Sequence, residues 1–321
     1  MINAFRADIP RLGRVLFRVD AGKVAGLSFG HLERCAVLSR QLLRAGAAAT
    51  TFLMRPLPDG LARARALGLE VALPELWLKA LADGDVLIVD LPFPPEDQVI
   101  RAARQAGAYL ALLDDTGRDL LPCDLVLNSS VLAEPSMYPR AKKTLLGPAY
   151  CILEERYAAA RHHGSGDAGL PVVLLTLGGS DPTGLTVRVL RALGALGGAA
   201  PACRLQVVLG PGFGEASAVE QAREKLSLAS QLHVSPADML PLFTGCDLAV
   251  CAGGRTLYEL RALGTPTLAL ASAPHEARQI DAFLRLGLLQ CGVTSWSEDA
   301  FLHKLRLMLS RQTRRPTGED T

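Results

Sequence analysis

Short apolar runs alternate with amphipathic stretches of helical spacing, and the alternation occurs twice along this chain. "GRVLFRVD" (13–20), "AATTFLM" (48–54), "DVLIVDLP" (85–92), "YLALLDDTG" (109–117) and "CDLVLNSS" (123–130) read as strands. Between them, residues 31–47 carry Leu32, Cys35, Leu38, Leu42 and Leu43 at helical spacing, with Gly46 as a stop. Residues 60–71 and 95–108 read as further helices, the first closed by Gly68, the second opened by Pro95 and Glu96 and closed by Gly107. The polar, Gly-rich "RHHGSGDAGL" (161–170) interrupts the pattern and reads as an exposed loop or linker. The alternation then resumes from "PVVLLTLGGSDPTG" (171–184) to "EARQIDAFLRLG" (276–287). Apolar runs alternating with helices predict parallel sheets covered on both faces. The expectation is an α/β chain of two Rossmann-like domains, residues 1–160 and 161–321, with their sheets facing across a cleft.

Composition narrows the function. The formal net charge is +2 in 321 residues, without the concentrated basic excess of a nucleic-acid-binding face. Seven cysteines lie far apart with no CxxC pair, so they read as reduced thiols in a cytoplasmic protein. No His/Cys spacing suits zinc, and the isolated His162 and His163 have no third ligand nearby, so neither a metal nor a cofactor is expected. "MINAFRADIPRLGR" lacks the apolar core of a signal peptide, and no run is long enough to span a bilayer. The terminal "RQTRRPTGEDT" reads as a solvated, frayed end.

In doubly wound sheets ligands bind outside the carboxyl ends of the strands. Asp20, Asp90, Asp114 and Asn128 end apolar runs and are candidates, though each also suits a turn or helix cap. Three Gly-rich junctions follow apolar runs: 26–34, 177–184 and 251–259. Glycine lets backbone approach a ligand, and the helix start beyond offers unpaired N–H groups to an anion such as a diphosphate. Neither GxGxxG nor GxxxxGK[ST] is present. Beyond Gly253 and Gly254, a carboxylate at Glu259 can accept both hydroxyls of a ribose; alternatively it is a solvated residue paired with a basic neighbour. His275 and Gln279 can bond sugar hydroxyls, or simply form a polar helix face. His31 stands at the mouth of the first strand, where an imidazole can serve as a general base or as an incidental cap.

Together, "FRVDAG…SFGHLERCAVLSRQL", "LLDDTG", "CDLVLNSS", "LGPAYCILEERY", "LTLGGSDPTG" and "CAGGRTLYELRALGTPTLAL" resemble the UDP-sugar hydrolase family of the pseudaminic-acid pathway. That group includes the spore-coat polysaccharide proteins and is related to the lipid-linked N-acetylglucosaminyltransferase of peptidoglycan synthesis. The resemblance spans roughly residues 13 to 300. Arg18, Asp20, Gly30, His31 and Arg34 match its opening R-x-D and G-x-G-H-x-x-R pattern. It implies a GT-B fold whose second domain holds UDP. Gly178, Gly179 and Ser180, with Gly253, Gly254, Arg255 and Thr256, would cradle the diphosphate, and Glu259 the ribose. His31 is implied as the base that activates water, with Arg18, Asp20, Arg34, Asp90, His275 and Gln279 in the substrate site. The implied reaction releases UDP and a free amino-deoxy sugar for nonulosonic acid synthesis; the alternative is glycosyl transfer to an acceptor in surface polysaccharide or flagellin glycosylation.

The chain also departs from the pattern. Ser28 replaces the first glycine of G-x-G-H, and the loop from Asp20 to His31 is longer than the pattern has it. Leu91, Pro92 and Phe93 follow Asp90 where the hydrolase carries a D-x-Y stretch. Gly253-Gly254-Arg255 resembles the transferase and spore-coat branches more than the hydrolase.

Overall fold

The computed structural model describes residues 5, 7, 9, 13–22, 24, 27, 29–92, 97–115, 117, 122–166, 169–179, 181–210, 212–214 and 216–312. The expectations placed on Ser28, Phe93, Pro95, Glu96, Ser180 and the terminal tail lie outside the described residues. The chain divides into two compact units, Met1–Glu154 and Glu155–Thr321. Each carries one parallel sheet, the doubly wound α/β arrangement expected from the alternation.

In the first unit the elements run β1 (Arg14–Val19), α1 (Gly30–Arg44), β2 (Ala49–Leu53), α2 (Pro58–Ala66), β3 (Val71–Ala72), α3 (Pro74–Leu78), β4 (Val86–Asp90), α4 (Asp97–Ala106), β5 (Tyr109–Leu113), β6 (Cys123–Asn128) and β7 (Ala141–Leu146). The sheet order is β3-β2-β1-β4-β5-β6-β7, with every pairing parallel. Strand order therefore reverses between β1 and β4, the switch point where such sheets bind ligands. Side chains alternate across β1: Val15, Phe17 and Val19 enter one core with Leu32, Leu38 and Phe52, whereas Leu16 joins Leu53, Leu87 and Val99 on the other face. Phe17 and Phe52 stack at 4.9 Å.

The second unit runs α5 (Glu155–Ala159), β8 (Val172–Thr176), α6 (Leu185–Ala195), β9 (Arg204–Leu209), α7 (Ser217–Glu224), β10 (Ser230–Val234), α8 (Leu240–Gly245), β11 (Leu248–Ala252), α9 (Arg255–Leu263), β12 (Thr267–Leu270), α10 (Pro274–Arg285), β13 (Cys291–Val293) and α11 (Glu298–Gln312). Its order, β10-β9-β8-β11-β12-β13, is again fully parallel and reverses between β8 and β11.

Several details differ from the sequence expectation. Leu43 is exposed rather than part of the buried α1 stripe, since it lies about 100° around the helix from Leu42. The helix expected at 60–71 starts at Pro58 and ends at Ala66, where Gly68 adopts a left-handed turn at φ +68°. Two edge strands, β3 and β7, gave no apolar run; β7 exposes two adjacent lysines and buries only Leu145 fully. α11 lies beyond the last expected element and packs Phe301, Leu305 and Met308 into the second core. Nor do residues 161–166 hang free as a linker. The His162 and His163 amides donate to the carbonyls of Leu263 and Thr244, and the Asp247 carboxylate accepts from the amides of Ser165 and Val172. Among the described residues no helix is long and apolar enough to cross a membrane.

The turn leaving β8 packs closely on the end of β9. A Cβ on Gly210 would lie 2.5 Å from Gly179 Cα and 2.6 Å from its carbonyl oxygen, all of it backbone. Gly210→Ala is therefore expected to destabilise the second unit by about 1–3 kcal/mol in urea unfolding, as overpacking does. Gly198→Ala, where nothing lies within 4 Å, should stay within about 0.5 kcal/mol of the parent. Equal effects would contradict the close approach.

Candidate functional site

α1 begins at Gly30, separated from the end of β1 by ten residues, and Phe29 at its start makes no side-chain capping hydrogen bond. His31, in its first turn, turns away from the helix end instead. Its Nδ1 lies 2.7 Å from Oδ1 of Asp90, the last residue of β4. A carboxylate can only accept here, so Nδ1 carries the proton and the imidazole lone pair resides on Nε2. Among the described residues Nε2 has no hydrogen-bond partner, and the ring is partly exposed. A base held in one tautomer by a buried carboxylate is the arrangement that general-base catalysis requires.

Asp90 is fully buried and carries the centre of a charge cluster. Arg34, one turn beyond His31, grips it with two nitrogens: Nε donates to Oδ2 at 2.6 Å and Nη2 to Oδ1 at 2.5 Å. The Cys35 thiol donates to Oδ2 at 3.3 Å. Burial alone would raise the Asp90 pKa, but the Arg34 guanidinium and the His31 hydrogen bond outweigh it and hold the carboxyl at about 2. Arg34 Nη1 continues to both oxygens of Asp115, each at 2.7 Å. Burial and the adjacent Asp90 push the Cys35 thiol well above its ordinary range, so it is inert as a nucleophile.

The other candidates of the first unit sit deeper. Arg18 and Asp20 are almost wholly buried and bind one another, Nη1 to Oδ1 at 2.7 Å and Nη2 to Oδ2 at 2.9 Å. Asp20 also accepts from the Arg55 amide and Nε. These contacts organise the ends of β1 and β2, so both side chains expected in the substrate site already have partners within the protein. Asp114 accepts from the Gly117 amide and the Tyr138 hydroxyl, and Asn128 donates to that hydroxyl, so both shape turns. Sequence reasoning missed Asp115, Cys35 and Tyr138; the doubled aspartate of "LLDDTG" was the available signal for Asp115.

In the second unit the two Gly-rich junctions follow β8 and β11, which flank the switch point. They differ at their helix starts. The Asp181 carboxylate accepts from the Leu185 and Thr186 amides at 2.9 and 2.7 Å. The expectation of unpaired N–H groups there is therefore corrected: Asp181, held at φ +41°, occupies those donors of α6. Gly178 turns at φ +90°, and a Cβ on Gly179 would meet nothing within 4 Å.

α9 starts after Gly254, which brings no capping side chain of its own. Gly253 is required by packing: a Cβ there would lie 2.9 Å from Glu276 Cβ, on α10. Arg255 and Thr256 form the first turn of α9, and Arg255 Nε donates to Glu259 Oε1 at 3.2 Å. Glu259 thus has the basic neighbour that its alternative reading supposed. The Gln279 amide has partners within the protein: Nε2 donates to the Gly253 carbonyl and Oε1 accepts from the Tyr258 hydroxyl. It ties α10 to the glycine loop. His275 is exposed on the first turn of α10. Glu276, which sequence reasoning passed over, accepts from the Ser272 amide and hydroxyl and lies beside Gly254.

No protein-family model matches the chain. The spore coat polysaccharide biosynthesis protein SpsG of Bacillus subtilis is 27% identical over 224 residues, 68% of this chain and 64% of that protein. The uncharacterised MJ1062 of Methanocaldococcus jannaschii is 26% identical over 212 residues, 63% of this chain and 43% of that protein. The chain therefore matches less than two thirds of the length of either relative. Among solved structures, MurG of Acinetobacter baumannii superposes with a TM-score of 0.60 at 15% identity, covering 95% of this chain and 94% of that one. Anabaena HepE, solved with UDP-glucose, gives 0.57 at 14% identity, covering 94% and 90%. The fold is GT-B.

The depressed Asp90 pKa has a measurable consequence. Folding stability from this carboxylate is full above pH about 4, where the unfolded group is ionised, and is lost as pH falls through about 2. A drop from 3.8 to about 2 is worth about 2 kcal/mol at 1.36 kcal/mol per unit. Urea unfolding between pH 2 and 5 should show this loss in the parent, and Asp90→Asn should flatten it. An unchanged slope in the variant would contradict the assignment.

Proposed function

We propose that this protein is a nucleotide-sugar enzyme that displaces UDP from a UDP-linked sugar, with His31 as the base that activates an O–H nucleophile. The observation that carries the reading is the His31–Asp90 pair, which leaves the neutral imidazole Nε2 open at the switch point of the first sheet. In the reaction the nucleophile loses its proton to Nε2 while its oxygen forms a bond to the anomeric carbon. The bond from that carbon to the β-phosphate oxygen breaks, and its electron pair leaves with UDP. Asp90 holds the ring and offsets the positive charge that develops on it.

The second unit is assigned the nucleotide. The start of α9, beside Gly253 and Gly254, suits the leaving diphosphate through its helix dipole and backbone N–H groups, with Arg255 and Thr256 in its first turn. Glu259 is assigned the ribose and would exchange Arg255 for its hydroxyls. Gly178 and Gly179 line the second junction. Arg18, Asp20 and Gln279 act as supports of the binding loops, and Arg34 acts through Asp90.

Glycosyl transfer in polysaccharide synthesis is the preferred form of this reaction. It is supported by the spore-coat polysaccharide relative and by GT-B neighbours such as the Rickettsia africae glycosyltransferase, with a TM-score of 0.58 at 13% identity over 92% of this chain and 88% of that one. Hydrolysis, with water as the nucleophile and an amino-deoxy sugar bound for a nonulosonic acid as product, is the second reading. The match of Arg18, Asp20, Gly30, His31 and Arg34 to the hydrolase pattern favours it.

Kinetics and calorimetry on variants test the proposal. His31→Asn should lower turnover of UDP-N-acetylhexosamines by about 10²–10⁴-fold, the usual contribution of a general base, with UDP affinity within about threefold. Turnover that survives would remove His31 from the chemistry. Glu259→Ala should weaken UDP binding by about 1–3 kcal/mol, the cost of unmatched buried hydroxyls; unchanged affinity would remove it from the ribose site.

A further inference from the structure

Arg34 matches a substrate-site pattern in the sequence, yet all three of its guanidinium nitrogens are committed within the protein. Nε and Nη2 bracket Asp90, and Nη1 reaches both oxygens of Asp115. Only 15% of its side chain is exposed, against 46% for Asp115. Nη2 also lies 3.2 Å from His31 Nδ1. Both atoms are donors in the tautomer set by Asp90, so this is a contact of a cation with the ring and not a hydrogen bond.

We infer that Asp115, Arg34, Asp90 and His31 form one charge chain in which Arg34 and Asp115 are positioning residues for the base. The inference rests on the reading of His31 as that base. Three elements contribute: α1 brings His31, Arg34 and Cys35, the end of β4 brings Asp90, and the turn after β5 brings Asp115. Arg34 takes one acceptor direction on each Asp90 oxygen, Cys35 takes a second on Oδ2, and His31 meets the second on Oδ1. Asp115 sets the charge of the chain. With a neutral imidazole the four groups sum to one negative charge, and proton uptake by His31 takes them to zero. Without Asp115 the same step would build a net positive charge beside Arg34. The carboxylate thus favours proton uptake from the outer end of the chain, while the guanidinium opposes it from the inner end. Opposed signs from adjacent residues are a signature that simple structural support does not produce.

The test is a ¹H–¹³C NMR titration of the full chain without substrate. The chain has six histidines, and the His31 signal is assigned by its loss in His31→Asn. Asp115→Asn should move the His31 titration down, because it removes the negative charge at the outer end of the chain. Arg34→Gln should move it up, because His31 then becomes the sole charged partner of Asp90. Absence of movement in Asp115→Asn, or movement of the two variants in one direction, overturns the inference. If Arg34→Gln does not fold, the Asp115→Asn shift decides alone. Titration needs no turnover, so failure of the chain is distinct from failure of the functional reading: turnover surviving in His31→Asn would overturn the latter and leave the titration result standing.

Discussion

A carboxylate buried at the end of a central strand is costly unless it is paired, and Asp90 is paired twice over. Its solvation by water is replaced by the Arg34 guanidinium, the His31 ring and the Cys35 thiol. Each partner is on α1, so the same contacts that make the charge tolerable fix the start of α1 against β4. His31 turns toward the strand rather than along the helix start. Structure and candidate chemistry therefore depend on one ion cluster. Removing Arg34 alone would leave the buried charge to the His31 ring and the Cys35 thiol, whereas removing His31 would leave Asp90 still held by two Arg34 nitrogens.

The two sheets repeat one topological solution with different local chemistry. In each, strand order reverses beside the first strand of the unit, and the polar residues follow the strands on either side of that reversal. In the first unit the junction is lined by a hydrogen-bonded cluster of charged and titratable groups. In the second it is lined by glycines and helix starts, which suit an anion. Even there the junctions are not equivalent, since Asp181 occupies donors at α6 while Gly254 brings no capping side chain to α9.

Much of this was legible in the sequence because its signals are local. A run such as "VLIVD" has to be buried on both faces, and the alternation of such runs with helical stretches specifies parallel sheets. Edge strands escaped because their burial is one-sided: β7, "AKKTLL", keeps two lysines in solvent. Residues 161–166 look like a linker by composition, but their amides are claimed by carbonyls on α8 and α9, more than 80 residues away. The site shows the same division. His31 and Asp90 stood out by type and position, but their pairing is a contact across 59 residues that no spacing encodes. Arg18, Asp20 and Gln279 have the chemistry of ligand contacts; only the fold reveals that their polar groups already have partners. Asp115 was hidden beside Asp114, because two adjacent carboxylates at a strand end point to different neighbours.

A single base that deprotonates a nucleophile for direct displacement dictates the stereochemistry at the anomeric carbon. The most direct measurement is NMR of the anomeric proton during incubation with α-linked UDP-N-acetylhexosamines and their 2,4-diacetamido relatives, with and without sugar acceptors. The account predicts release of UDP with a β-configured product, whether the nucleophile is water or an acceptor hydroxyl, and loss of that signal in His31→Asn. A product of retained α configuration would contradict direct displacement driven by His31.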